Sequence, residues 1–221
     1  MKLPMLYVDE LHGFYKSRVM IFLWVGLPAL AILFRFIQAN ATSSTISFTV
    51  ISALLVSSLA GTLSAVMISV SIINEKNRHV YELFLIRPIK RRDIIIAKFL
   101  SVYTCVAIAS LLAVLAGVVA DLLMGSNLSM SVLNNTGQSL EISLSMIAVA
   151  CSAGTLIGVG SPSVLVGAIL VIYGANQISV IPLIPTLLNL QYEAAFTIGI
   201  AIFVAVILLS AAVLLFDKQQ F

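Results

Sequence analysis

Apolar residues in this chain come in long runs separated by short polar segments. A helix needs about 20 consecutive apolar residues to cross roughly 30 Å of hydrocarbon. Six stretches meet that requirement: about 19–37, 46–73, 94–124, 142–159, 164–181 and 194–216. The second and third exceed what a span needs, so they can tilt or run on into water. Gly160-Ser161-Pro162-Ser163 forms a tight break between the fourth and fifth. Ahead of the first span, Tyr7, Val8, Leu11, Phe14 and Tyr15 fall on one helical stripe, with Asp9, Glu10, His12 and Lys16 opposite. This pattern predicts an amphipathic helix over 4–18 lying in the membrane interface. The expected fold is all-α: a polytopic membrane protein in one transmembrane domain (1–221), with six transmembrane helices and an N-terminal interfacial helix.

Composition supports a membrane setting. Of 221 residues, 61% are hydrophobic and 10% charged, against about 45–50% and about 25% in soluble domains. That excludes an ordinary soluble domain, a nucleic-acid binder and a disulfide scaffold. Cys105 and Cys151 lie inside apolar runs and read as small core residues. No cleavable signal peptide is expected, because charged residues interrupt the first eighteen positions. Eleven of the twelve Lys and Arg residues fall in the N-terminal segment, the loop between spans two and three, and the tail. By the positive-inside rule, both termini are expected in the cytoplasm and the outer loops at 38–45, 125–141 and 182–193.

Candidate chemistry inside the membrane is sparse. His12 and His79 are the only histidines and both lie outside the spans, and Asp121 is the one acidic residue within a span. No catalytic dyad, resident metal or proton relay is expected. The chain has no G-x-x-x-x-G-K-[ST] motif, so it carries no ATPase site of that type. Small residues recur every four positions at Ser57, Gly61, Ala65 and Ser69, and again at Ala150, Gly154 and Gly158. Such stripes let helix backbones approach closely. They serve packing within one bundle, or else a dimer seam or the wall of a path.

The densest polar segment is the loop 74–93. Val80, Leu83 and Phe84 follow helical spacing, Glu82 stands four after Arg78, and Arg87-Pro88 ends the pattern. A basic run, Lys90-Arg91-Arg92, follows. Topology alone explains the arginines but not an apolar ridge outside the membrane; a docking surface explains both.

The order Glu75, Glu82-Leu83, Pro88-Ile89, Asp93-Ile94 and Lys98 resembles the permease subunits of type-2 ABC transporters. His79-Val80 stand where that family carries Gly-Thr, and Ile181-Pro182-Leu183-Ile184-Pro185 resembles its last outer loop. The resemblance implies a coupling helix at 75–86 seated on an ATPase subunit, with Glu75, Tyr81, Glu82, Leu83, Phe84 and Pro88 as docking residues. It also implies two separate ATPase subunits that hold ATP and magnesium, a second permease copy in a homodimer, and residence in the plasma membrane. The chain would then be an exporter subunit without a cofactor or catalysis of its own, moving a substrate compatible with a nearly charge-free interior. Ser58, Thr62, Asn176 and Gln177 are candidates for the translocation path, although such hydroxyls can also bond back to their own helix. A channel or scaffold without ATP coupling is the alternative.

Overall fold

In hydrocarbon every backbone N–H and C=O must be satisfied within the protein, and the helix does this inside one segment. The computed structural model describes residues 3–39, 48–78, 91–123, 130–184 and 194–218, and no strand occurs among them. The chain forms α1 (Leu3–Tyr15), α2 (Arg18–Ala39), α3 (Phe48–Asn77), α4 (Arg91–Leu123) and α5 (Met130–Gly160). It continues through α6 (Val164–Leu170), a π-helical turn (Val171–Ala175), α7 (Asn176–Ser179), a 3₁₀ turn (Ile181–Leu183) and α8 (Ala194–Lys218). Among the described residues five helices are long and apolar enough to cross a membrane, or six if the bent pair α1–α2 is taken as one span. The chain is an all-α polytopic membrane protein.

Two local signals set the breaks. The Ser17 hydroxyl accepts a hydrogen bond from Met20 N at 3.3 Å, capping α2, and α1 meets α2 at a bend of 69°. At the Gly160–Ser163 break, Ser163 is extended (φ −142°, ψ 157°) and its side chain caps α6 by accepting from Val166 N. Helix α5 begins at Met130, so residues 130–141, expected in an outer loop, are helical. The polar cluster Asn134-Asn135-Thr136-Gly137 reads as a loop from composition, yet it contains no proline to stop a helix.

The centre of the bundle is the pair α3 and α5. They run parallel with a constant offset of 89 residues: Ser57 donates to Met146 Sδ at 3.6 Å, and the small residues above it meet in the same register. A Cβ placed on Gly61 would lie 3.2 Å from Ala150 Cβ, one on Gly154 2.6 Å from the Ala65 carbonyl oxygen, and one on Gly158 2.9 Å from Ser69 Cα. The two stripes therefore pack against each other within one chain, and neither is left over for a dimer seam. Helix α5 is the most enclosed span, with α8 on another of its sides. Helix α6 runs antiparallel along α3, where Gly167 lies against Ile73 and Ser69. Helix α2 packs on α4, and Trp24 Nε1 donates to the Cys105 carbonyl at 3.2 Å. Exposed Ile202, Phe203, Val206 and Leu214 on α8 give that helix a lipid-facing side.

Gly154→Leu should break the α3–α5 contact, because its Cβ has no room against the Ala65 backbone; overpacking of this kind costs about 1–3 kcal/mol or more. Gly117→Ala meets open space and serves as the control. Thermal melting of the purified protein should show a clear drop for the first and none for the second. Equal melting temperatures would show that the close approach is not needed.

Candidate functional site

Lys98 is the largest fully buried side chain, at 0% exposure, near the start of α4. An ammonium in such a place needs an opposite charge and hydrogen-bond acceptors. Helix α3 brings the first: Lys98 Nζ lies 2.6 Å from Glu75 Oε1. Helix α1 brings the second, with Glu10 Oε1 and Oε2 each 3.1 Å away. The Ser71 hydroxyl, one turn before Glu75, accepts from Nζ at 3.3 Å and donates to Glu75 Oε1 at 3.1 Å. The Phe14 ring of α1 covers the ammonium, with its centroid 5.4 Å from Nζ. One lysine thus ties α1, α3 and α4 together at a single end of the bundle.

That end is the basic end. The C-terminus of α5 arrives there too, and Lys76 Nζ donates to the Val159 carbonyl at 3.4 Å. Helix α1 is held along α4 by a further bond, from Tyr7 Oη to Thr104 Oγ1 at 3.1 Å. The stripe on α1 differs from the expected one. Leu6, Glu10 and Phe14, four apart, face the protein, whereas Val8 and Tyr15 are exposed. A periodicity argument puts a carboxylate on the water side; Glu10 turns inward because a buried cation waits there.

The cluster holds two carboxylates for one ammonium. Burial raises Glu10 above its ordinary value of 4.5, and the neighbouring Glu75 and Asp9 add to the rise. The attraction of Lys98 opposes this without reversing it. The geometry agrees, since Glu75 holds the shorter contact and Glu10 is the surplus acid.

The remaining candidates are scattered. Glu75, expected among the docking contacts, has Oε1 engaged by Lys98 of its own chain. Tyr81, Glu82, Leu83, Phe84 and Pro88 lie outside the described residues. Thr62 bonds back to its own helix, donating to the Ser58 and Leu59 carbonyls at 3.0 Å. Ser64, Ser101, Ser110, Ser152 and Thr155 do the same on their helices, so most buried hydroxyls here are satisfied locally. Asn176 is half-buried and Gln177 exposed on α7, just after the π-helical turn. Helix α7 packs on α3, and the antiparallel register begun at Gly167 brings both amides level with Ser58 and Thr62. The amphipathic pattern puts Glu10 on the water side of α1, and Lys98 stands out in the sequence only as part of a motif. The available signal was a lysine several residues inside a span, which always calls for a named partner.

The bundle thus combines apolar spans with a buried ionic cluster at one end. The profile of the family described as ABC-2 family transporter protein matches residues 15–175, and the chain belongs to that family. No curated protein matches the chain. The matched stretch contains Glu75 and Lys98 but begins after Glu10.

Lys98→Ala should leave two carboxylates facing each other without their cation. Removing one partner of a buried pair costs about 3–5 kcal/mol; the yield of folded protein and its melting temperature should both fall, and an unchanged melt would show the cluster to be dispensable. A second expectation concerns pH. Because Glu10 is raised above 4.5, the folded protein keeps its proton over a range in which the unfolded chain has released it. The stability from this group is present in full below 4.5 and is lost as pH rises through the folded value. Glu10→Gln should flatten that decline above 4.5; identical pH profiles of melting would refute the assignment.

Proposed function

We propose that this chain is the membrane subunit of an ATP-driven exporter, paired with a second copy of itself and with two separate ATPase subunits. Membership of the ABC-2 family supports the permease role. The observation that carries the coupling reading is the Lys98 cluster. Helix α3 runs unbroken through Ser71 and Glu75 to Asn77 and leads directly into the loop 79–90, whose Tyr81, Glu82, Leu83 and Phe84 make a docking ridge. A displacement of that loop reaches Glu75 within one turn, and Lys98 passes it to α4 and, through Glu10, to α1.

In this reading the basic end of the bundle faces the cytoplasm of a cell bounded by the plasma membrane, as the distribution of Lys and Arg favours. ATP and magnesium sit on the partner ATPase, whose closure upon ATP moves the loop. Glu82 and Leu83 anchor it in a groove of that subunit, with Tyr81 and Phe84 beside them and Pro88 ending the segment. The path runs along the side of α3 that carries Ser58 and Thr62, with Asn176 and Gln177 at the same depth. Its scarcity of charge suits a hydrophobic substrate.

Glu82→Ala and Leu83→Ala should leave the chain inserted and folded but reduce recovery of the ATPase subunit on co-purification by about tenfold, as for loss of an interface anchor worth about 1.4 kcal/mol. Undiminished recovery with both variants would refute docking at this loop.

A further inference from the structure

Between α1 and the half of α3 nearest the basic end lies an open cleft of about 470 Å³, within the usual range for small-molecule sites. Its long wall is the α3 face formed by Leu63, Val66, Met67 and Val70. Ser71 and Glu75 close its end, and Glu10, Gly13, Phe14 and Ser17 form the opposite side. From Leu63 to Glu75 the wall changes from apolar to acidic over about 18 Å of helix.

Three observations define what this cleft accepts. First, Glu75 Oε2 is buried and has no hydrogen-bond partner among the described residues, while Oε1 is occupied by Lys98 and Ser71. A buried carboxylate oxygen without a donor is costly. Second, two carboxylates share one ammonium, so the closed end has room for another positive charge. Third, Lys16 and Arg18 are exposed and adjoin the lining residue Ser17 in sequence, so two cations lie near that side of the cleft. The sequence of groups is an N–H acceptor at the closed end, cations near the Ser17 side and an apolar wall between α1 and the hydrocarbon.

We propose that the cleft binds one phospholipid, from the leaflet that meets the basic end, through a primary-ammonium headgroup. The ammonium donates to Glu75 Oε2 and lies beside Glu10, the phosphate faces Lys16 and Arg18, and an acyl chain follows Leu63 to Val70. A trimethylammonium headgroup has no N–H to give Oε2. A headgroup with only negative charge meets two carboxylates. A phosphatidylethanolamine satisfies all three observations. The proposal needs neither the ATP-coupling reading nor a particular transported substrate, although the headgroup would meet Glu75 and Glu10 of the same cluster.

The test uses the full chain in nanodiscs made from equal parts of phosphatidylethanolamine, phosphatidylcholine and phosphatidylglycerol. Lipids retained after transfer to mild detergent are counted by native mass spectrometry. Phosphatidylethanolamine adducts should exceed each of the others by about tenfold, equivalent to about 1.4 kcal/mol. Val70→Phe and Met67→Trp, which fill the cleft without touching the ionic cluster, should bring that adduct down to the phosphatidylcholine level, with melting measured alongside. Equal retention of the three lipids by the native chain overturns the proposal without recourse to any variant. So does undiminished preference in both folded variants. A high-yield disulfide between two chains carrying Leu63→Cys, in the same nanodiscs, would assign the cleft to a second copy and likewise overturn it.

Discussion

An ammonium group closed off from water dictates the arrangement of one whole end of this protein. Lys98 has no exposure, and in that state it must be met by carboxylates and acceptors or not be charged at all. Glu75 supplies one from α3, Glu10 one from α1, and Ser71 and Phe14 complete the surroundings. The cluster joins three helices that also share an apolar core there, with Leu6 and Phe14 of α1, Ile72 of α3 and Ile95 and Phe99 of α4 buried together. The position of α1 follows from that core, from Glu10 and from the bond of Tyr7 to Thr104. The cleft beside α1 is a product of the same constraint, since its closed end is made by the cluster itself.

Away from that end, the bundle is organised by the absence of side chains rather than their presence. The α3–α5 contact is nearly backbone on backbone at Ala65 and Gly154, and at Ser69 and Gly158. Many hydroxyls along these helices bond to their own carbonyls, so much of the polarity within the described spans is neutralised locally. Two amides, Asn176 and Gln177, follow the π-helical turn. Such turns widen a helix locally and often mark functional positions.

Much of the fold was legible because lipid makes simple demands. Spans follow from apolar length, and the four-residue stripes at Ser57–Ser69 and Ala150–Gly158 announced a close contact, although only the structure showed that each is the other's partner. Residues 130–141 are helical although their polar composition suggests a loop, because a helix can leave the bilayer and continue in water. The site was less legible. Glu75 and Lys98 stood in the motif that resembles the family, but as separate features: a docking carboxylate and a marker at the entry to span three. Their pairing depends on the end of α3 meeting the start of α4, which sequence spacing does not state. Glu10 was hidden by its own helix, where an amphipathic pattern assigns every charge to the water side. It takes a buried cation on another element to overrule that assignment.

The parallel register of α3 and α5 has a bearing on biogenesis. Parallel neighbours cannot be joined by a tight turn, and here each contact on α3 awaits a residue made 89 positions later. At synthesis rates of about 5–20 residues per second, the small-residue face of α3 remains in lipid for about 4–18 seconds before α5 emerges. During that interval its surface is open to small-residue faces of other helices. Assembly of this bundle is therefore a race against promiscuous association, and the close approach at that face, which fits only a helix with glycine at matching steps, is what keeps the vacancy selective.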